Sequence, residues 1–275
     1  MGGTLWLVAT PIGNLGDLST RAREVLGQVD LVACEDTRRT GRLLAGLKIK
    51  VPLVSYFEGN ERERVEELLV RLSNGDDVAL VSDGGTPAVS DPGYRLVRAC
   101  IDEGIEVQVV PGPSAPIAAL VVSGLPTDRF VFEGFLPRKP GERVRRLESL
   151  RHEPRTIVVF ESPVRVQTLL RDVLVAIGDR EVAVVRELTK LHEEVVRGRV
   201  SQVLSRLGAK ELKGEVVVVI GGERVRPTPD LSACADEVRE LVSGGMRKRD
   251  AAHAVADRHG VSANELYRAV LDDAR

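Results

Sequence analysis

The stretch VALVSDGGTPAVSDPG, Val78–Gly93, joins an apolar run, Val78–Val81, to a segment where Gly84, Gly85, Pro87, Pro92 and Gly93 surround hydroxyl and carboxylate side chains. Successive apolar residues with no polar alternation read as a strand covered on both faces, as in a parallel sheet. The strand cannot continue beyond Ser82, because glycine opens backbone conformations closed to other residues and proline gives no N–H to a sheet ladder. Ser82–Gly93 is therefore a loop at a strand's carboxyl end. Open α/β sheets bind ligands there, and glycines let a small molecule approach bare backbone. Taken alone, the same residues equally fit a tight turn with no ligand.

Outward from this loop, Leu5–Ala9, Leu31–Cys34 and Val107–Val110 repeat the apolar strand pattern. Between them Thr20–Val29, Thr37–Leu47, Glu61–Ser73 and Tyr94–Glu103 carry leucines and valines at helical spacing, as the crossovers of a parallel sheet require. The pattern changes after PGPSAP, Pro111–Pro116. Strands are predicted at Phe130–Gly134, Thr156–Glu161, Glu181–Glu187, Val195–Val200 and Glu215–Gly221, and helices at Arg143–Leu150, Val164–Ile177 and Val200–Leu207. The pair Val182–Glu187 and Val195–Arg199 has no helix between its members, so this sheet is mixed. Pro227 and Pro229 read as a linker, followed by helices at Asp236–Ser243, Arg247–His259 and Ala263–Leu271. Ser262 and Glu265 match a capping box. The expectation is an α/β protein in three parts: a parallel-sheet domain over 1–113, a mixed-sheet domain over 114–225 and a helical module over 226–275.

The 275 residues are 43% hydrophobic and 29% charged, inside the globular range. A net charge of −2 excludes a polycation, so any nucleic-acid contact needs a local patch. Cys34, Cys100 and Cys234 stand far apart with no CxxC pair, which suits small buried hydrophobes in a reducing compartment and predicts no metal site. No apolar run approaches the ~18 residues of a membrane span, and MGGTLWLVATPIGN lacks a basic leader. A soluble, cytoplasmic protein is expected.

ATPIGN (Ala9–Asn14), CEDTR (Cys34–Arg38), SDGGTP, PGPSA and GFLP (Gly134–Pro137) all fall at predicted strand ends, and the first domain's loops converge on one rim. Neither GxGxxG nor GxxxxGKS occurs, so Rossmann dinucleotide and Walker sites are poorly supported.

Eight segments then carry a resemblance as an ordered set: Leu7–Leu26, Val29–Leu44, Val78–Val97, Val109–Ala115, FEGFLPRK at Phe132–Lys139, FESPVR at Phe160–Arg165, Val184–Gly198 and Lys213–Gly222. Together they resemble the bacterial 16S ribosomal RNA cytidine 2′-O-methyltransferase family, within the tetrapyrrole-methylase superfamily, and Lys248–Leu271 resembles its carboxyl-terminal extension. The resemblance implies two α/β domains, S-adenosylmethionine in the cleft between them, a homodimer, and 16S rRNA or the small ribosomal subunit as substrate; the lack of a long apolar run predicts no membrane partner. Where relatives carry a histidine-rich stretch, this chain has SYFEGNE, Ser55–Glu61, which keeps Asn60 and Glu61 alone. ATPIGN stands where tetrapyrrole methylases have a GxGPGD-like loop over the macrocycle, which suggests a different acceptor.

The resemblance also implies a donor site at Asp83, Gly84, Gly85, Thr86 and Pro87, with Ser114 and Ala115 at a helix start. Phe132, Glu133, Arg186, Leu188 and Gly214 are expected on the opposite wall. Packing alone also accounts for Phe132 and Leu188, and a turn hydroxyl for Thr86. A sulfonium is already a strong methyl donor, so the enzyme aligns the ribose oxygen and helps remove its proton. Glu187 and Lys190 lead the candidates for that work, with Glu35, Asp36 and Glu133 beside them; each carboxylate also fits a structural ion pair, and a lysine needs a depressed pKa. From Arg138 to Arg155 seven basic residues face three acidic ones. Arg138, Lys139, Arg143, Arg145 and Arg146 are accordingly the expected phosphate contacts, against the alternative of a solvated helix face. With 3% aromatic residues, no wide stacking platform is expected. Tetrapyrrole carbon methylation and a non-catalytic RNA-binding assembly factor are the alternatives.

Overall fold

The computed structural model describes residues 2–208, 212–223 and 231–272. The chain divides into two compact units, Met1–Glu223 and Arg224–Arg275.

The larger unit holds two five-stranded sheets. The first contains β1 (Thr4–Val8), β2 (Leu31–Cys34), β3 (Leu53–Ser55), β4 (Val78–Val81) and β5 (Glu106–Val110), in the order β3-β2-β4-β1-β5. Every pairing is parallel. β4 shows why its four residues read as an unbroken apolar run. Ala79 and Val81 pack toward α1 (Thr20–Gln28) and α2 (Thr37–Leu47), whereas Val78 and Leu80 pack toward α3 (Glu61–Ser73) and α4 (Tyr94–Asp102). Both faces of the sheet are covered, so neither set of alternating side chains is polar. β3 was not among the expected strands; it is three residues long, only partly buried, and lies at the sheet's edge behind Pro52.

The second sheet runs β6 (Phe130–Phe135), β7 (Thr156–Glu161), β10 (Val216–Ile220), β8 (Glu181–Arg186), β9 (Glu194–Arg199). β6 and β7 are parallel and the other pairings antiparallel, the mixed sheet that the missing helix between β8 and β9 predicts. One face packs on α6 (Pro140–Ser149), α7 (Val166–Ala176) and α8 (Val200–Leu207). The other packs on α5 (Ala115–Ser123), with Ile12 of the ATPIGN loop in the same apolar cluster. The α/β architecture with a parallel and a mixed sheet is thus the expected one.

In the smaller unit, α9 (Leu231–Ser243), α10 (Lys248–His259) and α11 (Ala263–Asp272) enclose a separate core that includes Cys234, Val238, Val255 and Leu266. The Glu265 N–H donates to Ser262 Oγ at 3.4 Å, one arm of the expected capping box. The predicted linker prolines Pro227 and Pro229, and the 225/226 boundary, lie outside the described residues. All three cysteines are buried, and among the described residues no helix is long and apolar enough to cross a membrane.

Candidate functional site

Four loops leave the carboxyl ends of β1, β2, β4 and β5 and tie to one another. Thr10 and Gly85 exchange both backbone hydrogen bonds at 2.9 Å, joining ATPIGN to SDGGTP. The Thr86 hydroxyl donates to the Pro113 carbonyl at 3.2 Å, joining SDGGTP to PGPSA. Asp83 accepts the Asp36 N–H at 3.1 Å and pairs with Arg39 at 3.0 Å, joining it to CEDTR. The loop after β4 is strained: Gly85, Ala88, Ser90 and Gly93 have φ of 96°, 68°, 61° and 146°. Left-handed conformations at Ala88 and Ser90 cost about 1–2 kcal/mol each, and such strain persists where the surroundings over-determine it, often at functional sites. Glu61 helps by accepting the Gly93 N–H at 3.1 Å, and Asn60 bonds Phe57 N–H and the Ser55 carbonyl at 2.8 and 3.0 Å. The two residues retained from SYFEGNE therefore hold backbone.

These loops form one wall of a cavity of about 440 Å3. Asp83, Gly84, Gly85, Thr86, Ser114 and Ala115 line it, as does Glu35; Pro87 is buried behind it. The opposite wall comes from the second sheet: Phe135, Phe160–Pro163 and Gly214–Val217. Of the residues expected there, only Gly214 lines the cavity. Phe132 and Leu188 belong to the apolar cluster beneath α5, Glu133 holds Arg146 through two hydrogen bonds of 2.7 and 2.8 Å, and Arg186 pairs with Glu194 at 2.8 Å. The sequence reading missed Asp91, Phe135 and the FESPVR strand end, although that motif and SDPG were both in the ordered set.

The charge balance inside the cavity is negative. Asp83 is offset by Arg39, Glu161 by Arg165 at 2.6 Å and Glu215 by Lys190 at 3.1 Å. Glu35 and Asp91 form no ion pair among the described residues. Burial, and then the charges of Asp83 and Asp91, push Glu35 above the usual carboxylate range, with Arg39 opposing. Burial pushes Asp91 up to about 6 against a hydrogen bond from Ser82, and Asp83 adds to the rise.

The other acid–base candidates do not reach the cavity. Asp36 caps α2 through the Arg38 N–H at 2.8 Å, and the Arg38 guanidinium lowers it to about 2. Glu187 accepts the Glu215 N–H and the Lys190 ammonium, both at 2.9 Å, and these hold it below its ordinary value. Burial draws Lys190 down, but its hydrogen bonds to Glu187 and Glu215 outweigh that and hold it above its ordinary value. Glu187 and Lys190 thus form a knot that fixes Gly214 and Glu215 on the cavity wall.

Arg138, Lys139, Arg145 and Arg146 are exposed, whereas Arg143 corrects the expected phosphate set. Its side chain is 4% exposed and pairs with Asp172 of α7 at 2.6 Å, so its guanidinium is not offered to solvent. Arg143→Ala is expected to cost about 3 kcal/mol in urea denaturation by leaving Asp172 unpaired, without changing the salt dependence of RNA binding.

The profile of tetrapyrrole (corrin/porphyrin) methylases matches residues 4–204. The chain belongs to this family and is a methyltransferase. It is 53% identical over 221 residues to the ribosomal RNA small subunit methyltransferase I of Thermotoga maritima, covering 80% of this chain and 99% of that one. It is 45% identical over 273 residues to the protein of that name in Synechocystis, covering 98% of both. Among solved structures, uroporphyrin-III C-methyltransferase from Thermus thermophilus complexed with S-adenosyl homocysteine matches at a TM-score of 0.57 and 25% identity, covering 80% of this chain and 97% of that chain.

Proposed function

We propose that this protein transfers the methyl group of S-adenosylmethionine to the 2′-hydroxyl of a cytidine ribose in 16S ribosomal RNA. The observation that carries the reading is the cavity, where the strained glycine loop, with Asp91 on it, meets Glu35, two carboxylates without an ion-pair partner among the described residues. Its volume lies in the range of small-molecule sites, and its charge suits a cationic donor better than a dinucleotide or a nucleoside triphosphate. Gly84, Gly85, Thr86, Ser114, Ala115 and Gly214 would hold the donor. When bound, S-adenosylmethionine supplies an electrophilic methyl group on a sulfonium. Of the five acid–base candidates Glu35 alone lines the cavity, so it is the group assigned to orient the ribose hydroxyl and accept its proton.

The relatives' name, ribosomal RNA small subunit methyltransferase I, supports RNA as the acceptor, and the exposed basic residues after β6 support it independently. Replacing Arg138, Lys139 and Arg145 together with alanine is expected to reduce the slope of log affinity against log salt by about 2–3, with little change in sequence preference. The protein is taken to work in the cytoplasm as a homodimer without a membrane partner, with 1–113 and 114–225 as separate domains because each carries its own sheet. Nucleoside mass spectrometry of ribosomes from a deletion strain tests the function: loss of one 2′-O-methylated cytidine is expected. Unchanged RNA together with a defect in corrinoid or sirohaem synthesis would instead favour a tetrapyrrole acceptor.

A further inference from the structure

β6 does not keep a regular strand's alternation. Its pairing with β7 runs Phe130 to Thr156, Val131 to Ile157 and Phe132 to Val158, then passes over Glu133 and resumes with Gly134 to Val159 and Phe135 to Phe160. Three residues apart on a regular strand, Phe132 and Phe135 would point to opposite faces. The bulge puts both on the face of Val158 and Phe160, which looks toward the cavity, while Ile157 and Val159 face the helices behind. Re-aiming a side chain next to a site is a common use of such bulges. Gly134 makes this one possible: its φ is 61°, and a Cβ there would stand 2.9 Å from Ser90 Oγ of the strained loop.

The result is an aromatic row. Phe160 lies between Phe132 and Phe135, with ring centroids 5.0 and 5.4 Å away. Phe132 and Phe160 are partly buried, but Phe135 lines the cavity and is 59% exposed. A methyl donor is a small molecule that its site encloses, so a ring left open to solvent suits a ligand extending beyond the cavity. Arg138 and Lys139, both exposed, follow three and four residues later. An apolar ring face beside two cations is complementary to a base flanked by phosphates.

We propose that Phe135 is a stacking platform for an unpaired nucleobase of the RNA acceptor, which it seats at the cavity mouth while Arg138 and Lys139 hold the adjoining phosphates. Phe135 is a positioning residue, and the proposal rests on the reading of this protein as an RNA ribose methyltransferase. The test uses the full chain, S-adenosylmethionine, and small ribosomal subunits purified from a strain lacking the enzyme. Phe135→Ala is expected to raise KM for the subunit about 10- to 100-fold, the range that base–aromatic stacking is worth. The S-adenosylmethionine Kd by calorimetry and the molecular mass by light scattering should stay as in the wild type, and Phe135→Trp should restore KM. An unchanged KM overturns the proposal. So does a loss confined to S-adenosylmethionine affinity, which would make the ring an adenine platform, or a change of mass, which would make it a subunit contact. Wild-type protein unable to methylate RNA would instead sink the functional reading itself, and the control shows it separately.

Discussion

Gly85→Val is expected to abolish S-adenosylmethionine binding while leaving the protein folded. At φ 96° a β-branched residue is strained by at least about 1–2 kcal/mol. The backbone cannot rotate to relieve that strain, because the Gly85 N–H and carbonyl are both tied to Thr10 at 2.9 Å. A Cβ at this position would already touch Ile12 Cγ2 at 3.4 Å, so the two further methyl groups must displace Ile12 or enter the cavity. Overpacking of this kind costs about 1–3 kcal/mol. The sum, about 2–5 kcal/mol, does not exceed the about 5–15 kcal/mol that holds a typical domain together, so the protein is expected to stay folded. Calorimetry should show Kd raised at least about 100-fold, with Gly85→Ala intermediate and the far-UV spectrum unchanged. A Kd within about threefold of wild type would remove SDGGTP from the donor site.

Asp91→Asn is expected to move stability and donor binding in opposite directions. Burial disfavours the charge of the Asp91 carboxyl and pushes it up to about 6 in the folded protein, against the ordinary carboxylate value in the unfolded chain. With the folded value raised, the group's contribution to stability is full below about pH 4 and is lost as the pH rises through about 6. The ligand-free enzyme therefore carries an ionised, half-buried carboxylate at pH 7, next to Asp83 and with Glu35 facing the same cavity. Asparagine removes that cost: urea denaturation at pH 7.5 should show a gain of about 1 kcal/mol, the shift being discounted for solvent screening, that vanishes by about pH 4. The sulfonium of the donor would meet one charge fewer, so Kd should rise about 10-fold, and the shift in Tm on adding S-adenosylmethionine should shrink. If the substitution destabilises the protein at pH 7.5, Asp91 is not a half-buried charge without an ion-pair partner.

Much of the architecture was legible because local chemistry and tertiary packing agree. α2 spans Thr37–Leu47 in both readings, and the Asp36 side chain, expected among the acid–base candidates, is its cap. β2 is apolar at every position because both faces are covered, whereas β3 offers three half-buried residues and no pattern to read. ATPIGN, SDGGTP and PGPSA could be read as loops from glycine and proline placement, but their assignment to a methyl donor came from the ordered motif set. The facing wall could not be read, because a bulge and local ion pairs decide which of its side chains reach the cavity. The bulge at Glu133 moved Phe135 onto the cavity face and left Glu133 to Arg146. Glu187 and Lys190 were read as chemistry because sequence shows their types and not their mutual pairing. Arg143 had a signal that a charge count passes over. It stands four residues before Leu147 and seven before Leu150, on the stripe that α6 buries.

This cavity is assigned to deliver a methyl group to a ribose oxygen of ribosomal RNA. Small subunits lacking the modification, incubated with the purified protein and methyl-labelled S-adenosylmethionine, then digested to nucleosides for mass spectrometry, test it most directly. Label in 2′-O-methylcytidine, lost in Gly85→Val, is the expected result. Label on a base, or RNA left unlabelled while uroporphyrinogen takes up the methyl group, would contradict it.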